Sequence, residues 1–396
     1  MVIGFDGSRS FIKNKTGTEE YSYQLLKALA KVDRRNEYVV FLRPDVDKCE
    51  LEDFPNNFKF EILNFKLLWT QGGLAINSFF KKIDILFVPS HTVPLIRKPG
   101  LKTVVTVHDL GSEYLPKMHQ LKQRIYLSLM QKCQLQTATK IIAVSNATKQ
   151  DLIRKIGLPQ SKIEVVYEGY REGLKPLKSD LLISSLKGFN IEKDSYFLFV
   201  GTVQPRKNIE RLIRAFNRYT PENVTSNGQD LRIKNKELRA KNHNSLFINP
   251  KSSPILVIAG SKGWLSDEIF ALPKNLGIED RVKFLGFVPD EDLPALYSGA
   301  KAFLFPSLFE GFGLPILEAQ ACGCPVITSN VSSMKEIAGD GAILIDPYDI
   351  ESIVNAMEVV EDKKERESLI KKGFENKSKF SWQKCARETV KVFESI

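Results

Sequence analysis

With 396 residues, the chain has room for two ordinary domains and two hydrophobic cores. Its 43% hydrophobic and 26% charged residues exclude a disordered chain, and no run approaches the ~20 apolar residues of a membrane-spanning helix. The net charge of +10 sits almost wholly in residues 1–180, at +9 against +1 for residues 181–396, which suggests either a surface field for an anionic partner or a solvated basic face.

In chain order, "MVIGFDG" reads as a strand and lacks the charged-then-apolar layout of a signal peptide. "VIGFDG", "YVVFL", "FKFEIL", "DILFVPS", "TVVTVHD", "KIIAVS" and "IEVVYEG" then alternate with helical stretches through about residue 170. That alternation predicts a parallel sheet covered by helices. The polar stretch "YREGLKPLKSDLLISSLKGFNIEKDS" is the expected linker, and a second series follows: "YFLFVG", "PILVIAG", "VKFLGF", "AFLFPS", "PVITS" and "AILIDP". Within it, "PENVTSNGQDLRIKNKELRAKNHNSLFINPKSS" far exceeds the usual connection of ~2–6 residues, so about 220–253 reads as a polar surface insertion. "FSWQKCARETVKVFESI" ends the chain as an amphipathic helix. The five cysteines are odd in number and irregularly spaced, which predicts reduced thiols and a cytoplasmic location. Cys322 and Cys324 have no second pair or nearby histidine to complete a metal site, and read as small buried thiols.

The stretch "FPSLFEGFGLPILEAQACGCPVITS" carries the chemistry. It reads as strand, glycine loop, helix and strand, with Pro315 at the first helical position, where a missing N–H costs nothing. In a parallel sheet, ligands bind beyond the carboxyl ends of the strands, and a helix N-terminus there suits an anion. Gly311 and Gly313 let backbone approach such a ligand. Glu310 is expected in the loop and Glu318 in the first helical turn, so the two carboxylates flank one anion and accept from hydroxyls on either side. A nucleotide sugar has that layout, although loop and first-turn glutamates also serve as solvated caps.

"EGFGLPILEAQACGCPVITS" resembles the E-x7-E signature of retaining glycosyltransferases of family 4 (glycosyl transferases group 1). "IGFDGSR…KTGTEEYSYQLLKAL", "TVHDL", "TKIIAVSNATKQDLI", "FVGTVQPRKNIERLIRAF", "ILVIAGSKGW" and "VKFLGFVPDEDLPALYSGA" occur in that family's order and span nearly the whole chain. The resemblance implies an α/β GT-B fold of two facing Rossmann-like, doubly wound parallel-sheet domains with an interdomain cleft. It places an acceptor-side domain at 1–175, a donor-side domain at 190–377 and a helix at 378–396 that crosses back to the first domain.

The site residues follow from the same resemblance. Glu310 and His108 are expected beside the donor sugar, and Glu318 on the ribose. Where the family usually has arginine after the strand's glycine, this chain has Thr202; Lys207 is carried over directly, and Arg206 as the substitute cation of "PRKN". Both would stabilise the diphosphate as a leaving group. Gly17 is expected in the loop closing under the diphosphate, where the family commonly has a double glycine. Gly286 and Val288 should meet the nucleobase through backbone, and Phe312, Gly313 and Leu314 should line the donor.

Other signals carry less. "DED" at 290–292 has the D-x-D pattern of a divalent-metal site, but it precedes "LPALYSGA", where acids are ordinary caps, so no metal or cofactor is expected. No G-x-G-x-x-G follows a strand and no P-loop motif occurs, which excludes dinucleotide oxidoreductases and P-loop NTPases. No nucleic-acid-binding module is recognisable, so nucleic acid is not an expected partner. The implied activity is transfer of a hexose, with retention, from a nucleotide diphosphate sugar to a glycan or lipid-linked glycan. "GTVQPRKN" and "LYSGA" most resemble mannosyltransferase-like members, giving GDP-mannose as first donor and UDP-glucose or UDP-N-acetylglucosamine as next. A nucleotide-sugar 2-epimerase of the same fold, or a catalytically silent glycan- or partner-binding subunit, is the alternative. The basic first half leaves peripheral contact with an anionic membrane open.

Overall fold

Thirteen short β-prone segments account for the architecture of the computed structural model, which describes residues 1–12, 17–46, 51–65, 68–110, 132–219 and 254–396. Strands β1 (Val2–Asp6), β2 (Glu37–Leu42), β3 (Phe58–Ile62), β4 (Ile85–Val88), β5 (Lys102–Val107), β6 (Lys140–Ala143) and β7 (Ile163–Val165) form one sheet, in the order β3-β2-β1-β4-β5-β6-β7. Strands β8 (Tyr196–Val200), β9 (Ile255–Ala259), β10 (Val282–Gly286), β11 (Ala302–Phe305), β12 (Val326–Ser329) and β13 (Ala342–Ile345) form a second, in the order β10-β9-β8-β11-β12-β13. The named strand pairs in both sheets are parallel. Central strands such as "ILFV" in β4 and "AFLF" in β11 are buried along their whole length, because helices cover both faces of a parallel sheet.

The chain divides into two units: Met1–Tyr170 with Glu310–Phe312 and Phe380–Ile396, and Arg171–Phe309 with Gly313–Lys379. In each sheet the chain runs outward from its first strand and then returns to that strand's other side, so strand order reverses at β1/β4 and at β8/β11. Such a reversal opens a crevice at the carboxyl ends of the two strands, the usual place for a ligand in this architecture.

The polar stretch expected to be a linker contains the helix Ser179–Gly188. Leu182 and Leu186, one turn apart, are buried against the helix Leu293–Gly299, and two apolar residues on one face outweigh the polar composition around them. The C-terminal helix Trp382–Glu394 packs on Gly17–Val32 of the first unit, with the Tyr21 and Trp382 rings 5.8 Å apart and Phe87 and Phe393 5.2 Å apart. Gly169 permits this approach, since a Cβ there would lie 2.3 Å from the backbone nitrogen of Trp382. The expected insertion at 220–253 lies outside the described residues.

Candidate active site

In the second unit, the site begins where β8 ends. Gly201 and Gly260 have φ of +145° and +153°, and a Cβ on Gly260 would meet the Gly201 carbonyl oxygen at 2.0 Å, so the ends of β8 and β9 touch through bare backbone. Thr202 follows, exposed, and then a single 3₁₀ turn, Pro205–Lys207. Arg206 is tied to the segment after β11: its Nη1 donates to the Phe309 carbonyl at 3.0 Å, and its own carbonyl accepts from Leu308 N–H at 2.9 Å. Lys207 is buried, its Nζ 4.8 Å from the centre of the Phe305 ring. Asn208 adopts left-handed backbone, and its amide donates to the carbonyls of Pro306 at 3.1 Å and Pro347 at 2.6 Å, joining the ends of β11 and β13. "PRKN" is therefore a knot at the strand-order reversal, and two cations stand in it.

The helix Leu314–Ala321 starts from Gly313, whose φ of +108° suits glycine, and carries Pro315 in its first turn. Glu318 is its fifth residue and so lies in the second turn, not the first as expected, because the helix begins only after the glycine loop has turned. Its carboxylate is buried, accepts from the Tyr297 hydroxyl at 3.2 Å and lies 3.8 Å from the Arg171 guanidinium. Arg171 also pairs with Asp290 at 2.9 Å, which accounts for the first acid of "DED". Asp292 occupies the N-cap of Leu293–Gly299 without a side-chain capping bond, unlike the ordinary cap expected there. Gly286 ends β10 at φ +70° and accepts from Gly260 N–H at 2.7 Å, while Val288 is buried. Beneath the helix, the Gln320 amide donates to Ala338 and Gly341 and accepts from Asn376, fixing the helix's position through buried polar contacts.

In the first unit, His108 follows β5 and is buried with both ring nitrogens engaged: Nδ1 lies 3.1 Å from Glu168, and Nε2 2.9 Å from the Pro89 carbonyl. Burial opposes its charge, but the Glu168 carboxylate, the Pro89 carbonyl and Asp109 together raise its pKa above the ordinary value. His91, at 5.4 Å between ring centres, is driven the other way by burial and by His108, down to about 4. Among the described residues its buried Nδ1 has no hydrogen-bond partner.

Glu310, Gly311 and Phe312 cluster with this unit. The Gly311 carbonyl accepts from the hydroxyls of Ser145 at 2.7 Å and Thr148 at 3.3 Å, and Thr148 also donates to the His108 carbonyl at 3.1 Å. A Cβ on Gly311 would sit 1.9 Å from that same carbonyl oxygen, so only glycine fits. Phe312 packs with Tyr167 and Phe380 at ring distances of 6.3 and 6.0 Å. Glu310 is buried at the head of this tripeptide. Gly17 opens the helix Gly17–Val32, where a Cβ would meet nothing within 4 Å.

Two family models match the chain: Glycosyltransferase Family 4 over residues 15–172 and Glycosyl transferases group 1 over residues 185–376. Escherichia coli "O-antigen chain mannosyltransferase B" is 30% identical over 296 residues, covering 74% of this chain and 71% of the relative. The chain belongs to the group 1, family 4 glycosyltransferases. A second relative, "O-antigen chain mannosyltransferase RfbU" of Salmonella typhimurium, is 28% identical, covering 68% of this chain and 63% of its own length. The sucrose-phosphate synthase structure from Thermosynechococcus elongatus superposes with a TM-score of 0.74 at 20% identity, covering 100% of this chain and 98% of that one. The fold of this glycosyltransferase is GT-B, and the enzyme is a hexosyltransferase.

The glycosyltransferase's motifs single out the cations and glutamates as candidates but not the residues that support them. Glu168, His91, Ser145, Thr148, Arg171, Tyr297 and Asn208 are ordinary residues in sequence. Only "SNATK", with serine at a helix N-cap, carries a local signal: Ser145 accepts from Thr148 N–H at the start of Asn146–Asp151.

Proposed function

We propose that this glycosyltransferase transfers a hexose from a nucleotide diphosphate sugar to a hydroxyl of a glycan or lipid-linked glycan, with retention of anomeric configuration and without a resident metal. GDP-mannose is the first donor, in keeping with the mannosyltransferase names of the relatives, and UDP-glucose or UDP-N-acetylglucosamine is next. The observation that carries the reading is the "PRKN" knot. Arg206 and Lys207 stand at the strand-order reversal of the second sheet, with Arg206 bonded to the residue before Glu310. Cations there stabilise the charge that develops on a departing diphosphate. Glu318 holds the ribose; Gly286 and Val288 meet the base; Thr202, Gly313, Leu314 and Gly17 line the phosphates; His108, Glu310 and Phe312 position the hexose. In the transfer, the anomeric bond to the diphosphate breaks, the acceptor oxygen bonds to the same face, and its proton passes to the leaving phosphate.

The four described cysteines are free, as a reducing cytoplasm maintains, and the basic first half supports peripheral contact with an anionic membrane. The test is incubation with each nucleotide sugar, with and without acceptor glycan. Acceptor-dependent nucleotide release with an unchanged anomer supports the reading. Epimerised sugar without acceptor points to the 2-epimerase, and no nucleotide binding points to a silent subunit. Glu310→Ala should lower turnover about 10²-fold or more while nucleoside diphosphate still binds. Full activity in excess chelator is expected, and its abolition with rescue by Mn²⁺ would restore "DED" as a metal site.

A further inference from the structure

His91 and His108 stand side by side just beyond the carboxyl ends of β4 and β5, with 5.4 Å between ring centres, next to the strand-order reversal at β1/β4. Their ring nitrogens are treated differently. His108 faces two acceptors, the Glu168 carboxylate at 3.1 Å and the Pro89 carbonyl at 2.9 Å. A carbonyl and an ionised carboxylate only accept, so both His108 nitrogens carry hydrogen and neither is left for a ligand. Of the two His91 nitrogens, Nδ1 is buried without a partner among the described residues, and Nε2 stands at the tip of a side chain that is only half-buried.

The backbone around His91 is nevertheless held. The Pro89 carbonyl is taken by His108, and the Val93 carbonyl by the Gln71 amide at 3.1 Å. Ser90 and Val93 are buried, so the imidazole is fixed by its chain rather than by its nitrogens. Burial and then the charge of His108 disfavour a proton on His91, with Arg9 adding to them and Asp109 only partly offsetting them, so the ring is neutral near pH 7. A neutral imidazole has one N–H and one lone pair. Orphaned N–H groups are rarer inside proteins than under-used acceptors, which puts the lone pair on the buried Nδ1 and the hydrogen on Nε2.

A crevice at a strand-order reversal is where this architecture receives a ligand. With the nucleotide assigned mainly to the second unit, the ligand of this first crevice is the acceptor. We propose that His91 donates its Nε2–H to a hydroxyl of the acceptor glycan and so positions that glycan for transfer. The proposal deepens the proposed function and rests on it.

The test uses the full chain with GDP-mannose as donor and octyl α-mannoside as acceptor probe. His91→Ala should lower kcat/KM for the octyl glycoside about fivefold or more, the worth of a hydrogen bond, with nucleoside diphosphate affinity and circular dichroism unchanged. Glutamine places an amide N–H near the Nε2 position and asparagine near the Nδ1 position, so His91→Gln should recover most of the loss and His91→Asn should not. Spectra of nitrogen-labelled histidine give a readout apart from turnover. The chain has four histidines, and the His91 signals, assigned by their loss in His91→Ala, should be those of a neutral ring with its hydrogen on Nε2. Equal losses of acceptor and nucleotide binding would make His91 a packing residue and overturn the proposal. Rescue by asparagine as good as by glutamine, or a ring that is charged or carries its hydrogen on Nδ1, would overturn it too. If the wild type releases no nucleotide with any glycan, the transferase reading falls and the role of His91 with it. If the wild type transfers and His91→Ala transfers equally well, only the role of His91 falls.

Discussion

Two carboxylates show how single residues are held for work. Glu168 engages Nδ1 of His108, and Tyr297 engages Glu318. His108 titrates above its ordinary 6.5, so its charged pairing contributes stability that is complete below pH 6.5 and is lost as pH rises through the folded-state value. Glu168→Gln should therefore cost most in acid, and the difference in denaturation midpoint from wild type should shrink as pH rises through that value. His91, held down to about 4 by burial and by His108, loses stability as pH falls from 6.5 toward 4 in both proteins, and the part due to burial drops out of the difference. A midpoint difference independent of pH would show that Glu168 does not charge His108. If Glu318 holds the ribose as proposed, Tyr297→Phe should weaken nucleoside diphosphate binding about fivefold, the worth of one ordinary hydrogen bond, by loosening Glu318. Arg206→Ala and Lys207→Ala should weaken nucleoside diphosphate by about 1–3 kcal/mol each while leaving nucleoside little changed. Calorimetry showing equal losses for nucleoside and nucleotide would refute the phosphate assignment.

At the scale of elements, the tripeptide Glu310–Phe312 depends on partners remote in sequence. Ser145 caps Asn146–Asp151 and also donates to Gly311, so Ser145→Ala removes two bonds at once. A cost of about 1–3 kcal/mol is expected in urea denaturation, from the cap and the buried acceptor left behind. Gly311→Ala is the harsher change, since its Cβ cannot coexist with the His108 carbonyl oxygen. Turnover should fall with it through displacement of Glu310, while Gly17→Ala, with open space around its Cβ, should leave stability unchanged. This arrangement was half legible. The spacing of Glu310 and Glu318 and the glycines between them predict a loop ahead of a helix, which is what forms. The reason glycine is obligatory at 311, a carbonyl 203 residues earlier in the chain, leaves no local pattern.

At the scale of the whole molecule, the C-terminal helix belongs with the first unit. Trp382, Cys385, Ala386 and Phe393 are buried, and Trp382 and Phe393 meet Tyr21 and Phe87. Deleting residues 380–396 should expose that core, at a cost of several kcal/mol given ~3–5 for removing one large buried aromatic. Hydrogen exchange should show lost protection in β1, β4 and Gly17–Val32, with β8 to β13 little affected; uniform loss across both sheets would contradict the division into units.

The sequence by itself determined the class of fold and the family. Thirteen β-prone runs interleaved with helical stretches require parallel sheets, because buried strands are apolar throughout and their crossovers need helices. "EGFGLPILE" and "PRKN" place glycines, carboxylates and cations in the order of the group 1, family 4 motifs, which is enough to name the family. Tertiary structure alone decided what supports them. Leu182 and Leu186 turn a polar stretch into a packed helix because a partner helix is present to cover them. Glu168 reaches His108 from 60 residues away, and Gln320 and Asn376 lock two helices across 56. Only the packed fold shows that the helix Ala75–Phe80 buries Ala75 and Ser78 and leaves Ile76, Phe79 and Phe80 on its exposed side. Periodicity records that a residue prefers to leave water; which neighbour receives it is set by contacts far apart in the chain.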